Sequence, residues 1–159
     1  MPSHVPARLR KGRTHDADAL TRVFLDARAT ALPYLPRVHS DADTRAWMEH
    51  VVLPGTEVWV AELPGTGGAW EPAGFVSLDG QELEHLYLRP DVRRRGIGTL
   101  LLEKARELSP GGLALHTFQR NTAARSFYER HGFTAVAFDD GGRNEENEPD
   151  VRYRWSPSG

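Results

Sequence analysis

The 159-residue chain contains no cysteine. That absence excludes disulfides, thiolate metal ligands and a cysteine nucleophile, and it fits a reducing cytoplasm. Long apolar runs are also missing: no stretch approaches the roughly 18 residues that cross a bilayer. The opening residues, MPSHVPARLRKGRTHDADAL, lack the apolar centre of a signal peptide. A positive excess is absent too. Twenty basic and 22 acidic side chains leave a formal charge of −2, which argues against bulk nucleic-acid binding. The seven histidines show neither His-x-His nor His-Glu-x-x-His spacing, so no metal site is expected. What is present, 39% hydrophobic and 26% charged residues, is the balance of a globular protein. The expectation is one soluble, cytoplasmic domain over residues 1–159 that engages neither membrane nor nucleic acid.

Periodicity supplies the elements. Residues 7–12 read as a short strand. Thr14 is expected to cap a helix in which Ala17, Leu20, Val23, Phe24 and Ala27 recur at helical spacing, ended by Pro33 and Pro36. Ser40 and Asp43 resemble a capping box opening a second helix, with Trp47, Met48, Val51 and Val52 as its buried stripe. Strands follow over 57–63, 73–80 and 82–89. A helix over 96–108 stops at Ser109-Pro110-Gly111-Gly112. A strand over 113–118 leads to a helix over 121–131, closed by Gly132 as a left-handed cap. Strands over 133–138 and 151–155 flank a polar loop. The order is β-α-α-β-β-β-α-β-α-β-β, an α/β domain with a mixed sheet.

The stretch LYLRPDVRRRGIGTLL carries the most chemistry. A strand ends, an arginine-rich turn follows, and Gly96-Ile97-Gly98 opens a helix. Glycines let backbone N–H groups approach a ligand closely, and a helix start adds free donors and partial positive charge. Arg93, Arg94 and Arg95 can neutralise a pyrophosphate or a neighbouring phosphate. The turn is not a Walker A loop, because no lysine precedes Thr99. Nor is it a dinucleotide fingerprint, because Leu101 stands where glycine or alanine belongs. A glycine turn with a solvated arginine face is the alternative.

The chain here resembles the GNAT superfamily of N-acetyltransferases. That family's acetyl-CoA signature, Arg/Gln-x-x-Gly-x-Gly/Ala, is matched by Arg93 to Gly98. The preceding Leu-x-x-Leu-Tyr-Val-x-Pro is matched by Leu83 to Pro90, with Leu88 in place of valine. Downstream, Asn121, Ala124, Phe127, Tyr128, Glu129, Gly132 and Phe133 follow the family's Asn-x-x-Ala-x-x-Phe-Tyr-Glu-x-x-Gly-Phe. The likeness spans about 7–155. It implies a GNAT-type acyltransferase fold: a mixed, mostly antiparallel sheet of about seven strands flanked by about four helices.

The resemblance also implies a mechanism. Acetyl-CoA would be the cosubstrate, with no metal. The backbone amides of Arg94, Arg95, Gly96, Gly98 and Thr99 would hold the pyrophosphate, with Arg93 and Ile97 in the same turn. Leu86 and Leu88 would meet pantetheine and the thioester through their backbones, the Leu88 N–H polarising the acetyl carbonyl. Asn121 would contact the pantetheine end. Tyr128 stands at the family's general-acid position, and a phenol with an ordinary pKa of about 10 has a proton to give the departing sulfur. Packing under the sheet is its alternative role. One of Glu84 and His85 is expected to be the base or to order its water, with Glu82 and His116 as further candidates. Strand alternation separates Glu82 and Glu84 from His85, and a bulge would scramble that parity.

The acceptor site in the family is formed by the first two helices, their connection and the last loop. Here those segments carry Tyr34, His39 and Trp47, with six acidic residues between Asp139 and Asp150 against Arg143 alone. An acidic rim would attract a cationic amine, and a solvated mobile loop is the other reading. A small-molecule amine is the first expectation for the acceptor. A protein or peptide amine is the alternative, as is an acyl-CoA-binding module without turnover. Homodimers are frequent in the superfamily, so a homodimer is a further expectation.

Overall fold

The structure, a computed structural model, describes residues 7–92 and 95–157. Seven strands form one sheet: β1 (Arg8–Lys11), β2 (Glu57–Pro64), β3 (Trp70–Asp79), β4 (Glu82–Leu88), β5 (Leu113–Phe118), β6 (Thr134–Asp139) and β7 (Asp150–Trp155). Their spatial order is β1-β2-β3-β4-β5-β7-β6. Every neighbouring pair is antiparallel except β4 with β5, which are parallel. The longer helices are α1 (Ala17–Ala31), α2 (Asp41–Trp47), α3 (Ile97–Leu108) and α4 (Thr122–Arg130). The element order and the mixed, mostly antiparallel sheet match the sequence expectation. None of the helices is long and apolar enough to cross a membrane.

Two apolar layers cover the sheet. Leu20, Val23 and Phe24 of α1 pack with Met48 and Val52 against Val58, Val60 and Phe75. Ile97, Leu101, Leu102 and Ala105 of α3 pack with Tyr128 of α4 against Val76, Leu83, Leu113 and Leu115.

Three local devices differ from simple periodicity. Asp16, rather than Thr14, fixes the approach to α1. Thr14 lies inside a 3-10 turn, while the Asp16 carboxylate accepts the Arg13 N–H at 2.8 Å and pairs with Arg10 at 2.7 Å. A partly buried arginine beside a buried acid outweighs a lone hydroxyl cap. Ser40 does cap α2, accepting the Asp43 N–H at 3.1 Å. Beyond Trp47 the helix widens into a π turn, Met48–Val52, in which Leu53 N–H donates to Met48 O. The extra residue carries Val52 and Leu53 inward and leaves Val51, expected in the core, 55% exposed.

The third device is in β4. Asp79 pairs with Glu82 and Leu78 with Leu83, but Ser77 pairs with His85, so Glu84 is the extra residue of a bulge. Leu83, Leu86 and Leu88 then face α3, whereas Tyr87 joins the α1 layer and His85 meets the Phe24 ring. Without the bulge, Leu83 and His85 would share a face.

Candidate active site

Beyond their first residues β4 and β5 part. Their register holds one pair, Glu82 with Ala114, supported by the Ala114 N–H donated to Gln81 O at 2.9 Å. On its other side β4 stays bonded to β3, with Arg89 N–H donated to Ala73 O at 2.8 Å. Alternation along a strand therefore turns the N–H and C=O groups of Leu86 and Leu88 toward the gap that β5 has left. A cavity of about 100 Å³ opens there, lined in part by Glu84, His85, Leu86, His116, Asn121 and Tyr128. These residues come from β4, β5, the cap of α4 and its last turn.

The glycine turn stands where β4 hands over to α3. Gly96 has φ +81°, the left-handed region that favours glycine, and a Cβ there would meet nothing within 4 Å. At Gly98 a Cβ would stand 3.3 Å from the Phe127 ring, a tight contact that the ring would have to yield to. Gly96 precedes α3, and the first amides of a helix have no intrahelical acceptor. Ile97 is buried, whereas Arg95, Gly96 and Thr99 are exposed. Open space, orphan donors and the Arg95 cation suit a pyrophosphate. Arg93 and Arg94 lie outside the described residues.

Tyr128 is 6% exposed and packs among the rings of Phe127 and Phe133 at 5.2 and 5.4 Å. Burial first, and then the Tyr87 phenol, push its hydroxyl well above the ordinary tyrosine range. It holds its proton at neutral pH. Asn121 caps α4, its side-chain oxygen accepting the Ala124 N–H at 3.1 Å. Glu129, another member of the same motif, accepts the Tyr153 hydroxyl at 2.6 Å and so ties α4 to β7.

The four candidate bases separate. Glu82 is held by Arg152 at 2.5 Å, at the end where β4 and β5 are still paired. His85 sits in an aromatic cage, 5.1 Å from Trp47, 6.2 Å from Phe24 and 6.1 Å from Tyr87 between ring centres. Burial, and then the Arg28 charge, lower it to about 4. Glu84, on the bulge, is raised above the usual carboxylate range by desolvation and by the charges of Glu82 and Asp79, with His116 opposing. His116 is exposed on β5. Glu84 is the carboxylate that lines the cavity, exposed on the bulge and with its pKa raised.

A second, larger space of about 760 Å³ lies between α1, the α1–α2 connection and the β6–β7 loop. Leu32 lines both spaces and stands between them. The acidic loop is not a free rim. Arg28 bonds Glu146 at 3.0 Å, His39 bonds Glu145 at 2.9 Å, and Arg120 bonds the buried Glu148 at 2.7 Å. Asn144 adds a bond to the Glu148 carbonyl at 2.8 Å. The Arg120 guanidinium also lies 3.6 Å from the Tyr34 ring centre. Arg28 stacks between two walls, 5.2 Å from the Phe24 ring centre and 5.8 Å from that of Phe118. Trp47 lines the larger space, as the sequence suggested, whereas Arg28 and Arg120 carry no local sequence signal. Among the described residues no group of three or more His, Cys, Asp or Glu could hold a metal ion.

Comparison with known proteins adds to this geometry. A family model described as an acetyltransferase (GNAT) domain matches residues 54–135. Peptidyl-lysine N-acetyltransferase YjaB of Salmonella typhimurium is 40% identical over 92 residues, 56% of this chain and 60% of that protein. The chain thus matches about three fifths of that relative's length. The solution structure of apo-form YjaB from Escherichia coli superimposes with a TM-score of 0.72 at 25% identity, over 94% of this chain and 97% of that one. PaiA N-acetyltransferase from Thermoplasma acidophilum, solved in complex with coenzyme A, shares the fold. Its TM-score is 0.68 at 18% identity, over 95% of this chain and 99% of that one.

Proposed function

The chain belongs to the GNAT acetyltransferase family, and on that premise we propose that it transfers an acetyl group from acetyl-CoA to a lysine side-chain amine of a peptide or protein. The observation that carries this reading is the pairing of two unequal spaces. Leu32 lines both a vestibule of about 760 Å³ and a cavity of about 100 Å³ beside the unpaired β4 edge. A slim, unbranched amine can pass that wall while its carrier stays outside. The activity named for the Salmonella YjaB relative agrees, and favours a peptidyl amine over the small-molecule amine expected from sequence. A small amine is the second reading, because the vestibule volume lies in the usual range of ligand pockets.

Acetyl-CoA, when bound, supplies an acetyl group already activated as a thioester. The amides of Gly96, Gly98 and Thr99, with the Arg95 side chain, are suited to hold its pyrophosphate. Arg93 and Arg94, outside the described residues, extend the same turn. The Leu86 and Leu88 backbones offer strand-like bonds to an extended arm, and the Leu88 N–H donates toward the oxygen on which charge develops. The Asn121 amide nitrogen remains available to that arm while its oxygen caps α4. Glu84 accepts the proton of the attacking ammonium, directly or through water. Tyr128 gives its proton to the leaving sulfur. His85 is neutral at pH 7 and serves as a wall of the amine's path rather than as the base.

The test is release of free thiol from acetyl-CoA with lysine-containing peptides, polyamines, aminoglycosides and free amino acids as acceptors, with products identified by mass. Acetylation at lysine side chains, at rates exceeding those with every small amine, is expected. Turnover confined to small amines would overturn the peptidyl reading, and no turnover with any amine would overturn both.

A further inference from the structure

His131 ends α4 and holds two groups through its ring. Nδ1 lies 2.8 Å from the Phe127 carbonyl oxygen, and Nε2 lies 3.2 Å from the Thr99 hydroxyl oxygen. A carbonyl only accepts, so Nδ1 carries hydrogen and the neutral ring leaves Nε2 bare. The Thr99 hydroxyl then directs its one hydrogen to His131. Thr99 is the third residue of α3, within the turn where Gly96 and Gly98 leave backbone donors open. An anionic oxygen seated there and Nε2 therefore compete for a single hydrogen. Protonation of the ring removes the competition. Both ring nitrogens donate, Thr99 Oγ accepts from Nε2, and its own hydrogen turns to the anion as a charge-supported bond.

We propose that His131 is a positioning residue for the anionic cofactor, acting through Thr99 and taking up a proton from solvent as the pyrophosphate binds. The proposal rests on the acetyl-CoA reading above. It adds a residue that makes no contact with the reacting atoms and ties cofactor affinity to pH. The ring also packs on Phe127, with 4.5 Å between centres. Among the described residues the following charged groups lie near it or on its own element. Arg106 of α3 donates to the His131 carbonyl and pairs with Glu103. Arg95 precedes α3, and Glu129 and Arg130 belong to α4 itself.

Calorimetric binding of CoA at pH 6 and pH 8, in two buffers of different ionisation heat, tests this. Wild type is expected to bind about five- to tenfold more weakly at pH 8, the difference between a charge-assisted and a neutral bond, with net proton uptake. In His131→Gln the amide N–H can donate to Thr99 at both pH values, so the part of the pH dependence carried by residue 131 is expected to vanish. His131→Leu is expected to bind at the weaker level at both, and Thr99→Val to lose the proton uptake. The cofactor's own phosphates titrate alike in all four proteins, so differences among them report His131. Identical pH dependence and proton uptake in wild type, His131→Gln and Thr99→Val would overturn this inference alone. Absence of CoA binding by wild type would overturn the acetyl-CoA reading with it.

Discussion

Arg28 and Glu146 meet at 3.0 Å across the larger space, although 118 residues separate them in the chain. The pair fastens the β6–β7 loop to α1 and holds the Arg28 guanidinium, which lines the larger space, between the Phe24 and Phe118 rings. Glu146→Gln frees that guanidinium. The expected result is a three- to tenfold rise in KM for the amine, about 1 kcal/mol for a part-buried ion pair, with the Kd for CoA unchanged. Steady-state kinetics with the amine varied, beside CoA binding, separate the two. A matching loss of CoA affinity would contradict the assignment of this pair to the acceptor side.

The caged His85 makes stability depend on pH. Burial and the Arg28 charge hold it down to about 4, whereas an unfolded histidine takes up its proton near 6.5. Between those values the unfolded chain binds more protons than the folded one. Folding stability is therefore lost as pH falls from about 6.5 toward 4, and this contribution then levels off. The loss is on the order of 3 kcal/mol. Urea unfolding of wild type and His85→Gln at pH 7, 5.5 and 4.5 measures it. The two curves should converge as pH falls, and parallel curves would contradict the cage.

Glu84 predicts an activity limb. Its raised carboxyl is protonated, and useless as a base, at pH values where ordinary glutamates are already charged. The acid limb of kcat/KM should therefore lie above the usual carboxylate range. Glu84→Gln should lower kcat by about 100-fold and remove that limb, as for loss of a general base. His85→Gln should leave the limb in position. A limb that survives in Glu84→Gln would return the base role to His116 or to water alone.

Much of the fold was legible in the sequence because each element carried its own punctuation. Leu101, Leu102 and Ala105 mark one helical face, Gly132 adopts φ +89° beyond α4, and Ser40 caps α2 through its hydroxyl. The turn from Arg95 to Thr99 was legible for the same reason: glycine, charge and a helix start are local. What failed was set by side-chain pairing and backbone irregularities that periodicity does not encode. Arg10 and Asp16 displaced the cap expected at Thr14, and a π turn moved Val51 out of the core. Arg152 sits 70 residues from the Glu82 it holds, so sequence alone could not remove Glu82 from the further candidates. The β4 bulge explains why alternation alone could not sort Glu84 from His85. Motif residues also divided by role. Asn121 and Glu129 bind the scaffold through a cap and a tyrosine, while Tyr128 lines the cavity with a proton held firmly.

That held proton is the centre of the proposed mechanism. The most direct measurement is the rate of thiol release from saturating acetyl-CoA in the presence of a lysine peptide, for wild type and Tyr128→Phe, beside the Kd of each for CoA. The ring and its packing against Phe127 and Phe133 survive the substitution, and only the hydroxyl is lost. The account predicts a kcat about 100-fold or more below wild type, with Kd within about twofold. An unchanged kcat would contradict it and remove Tyr128 from the reaction.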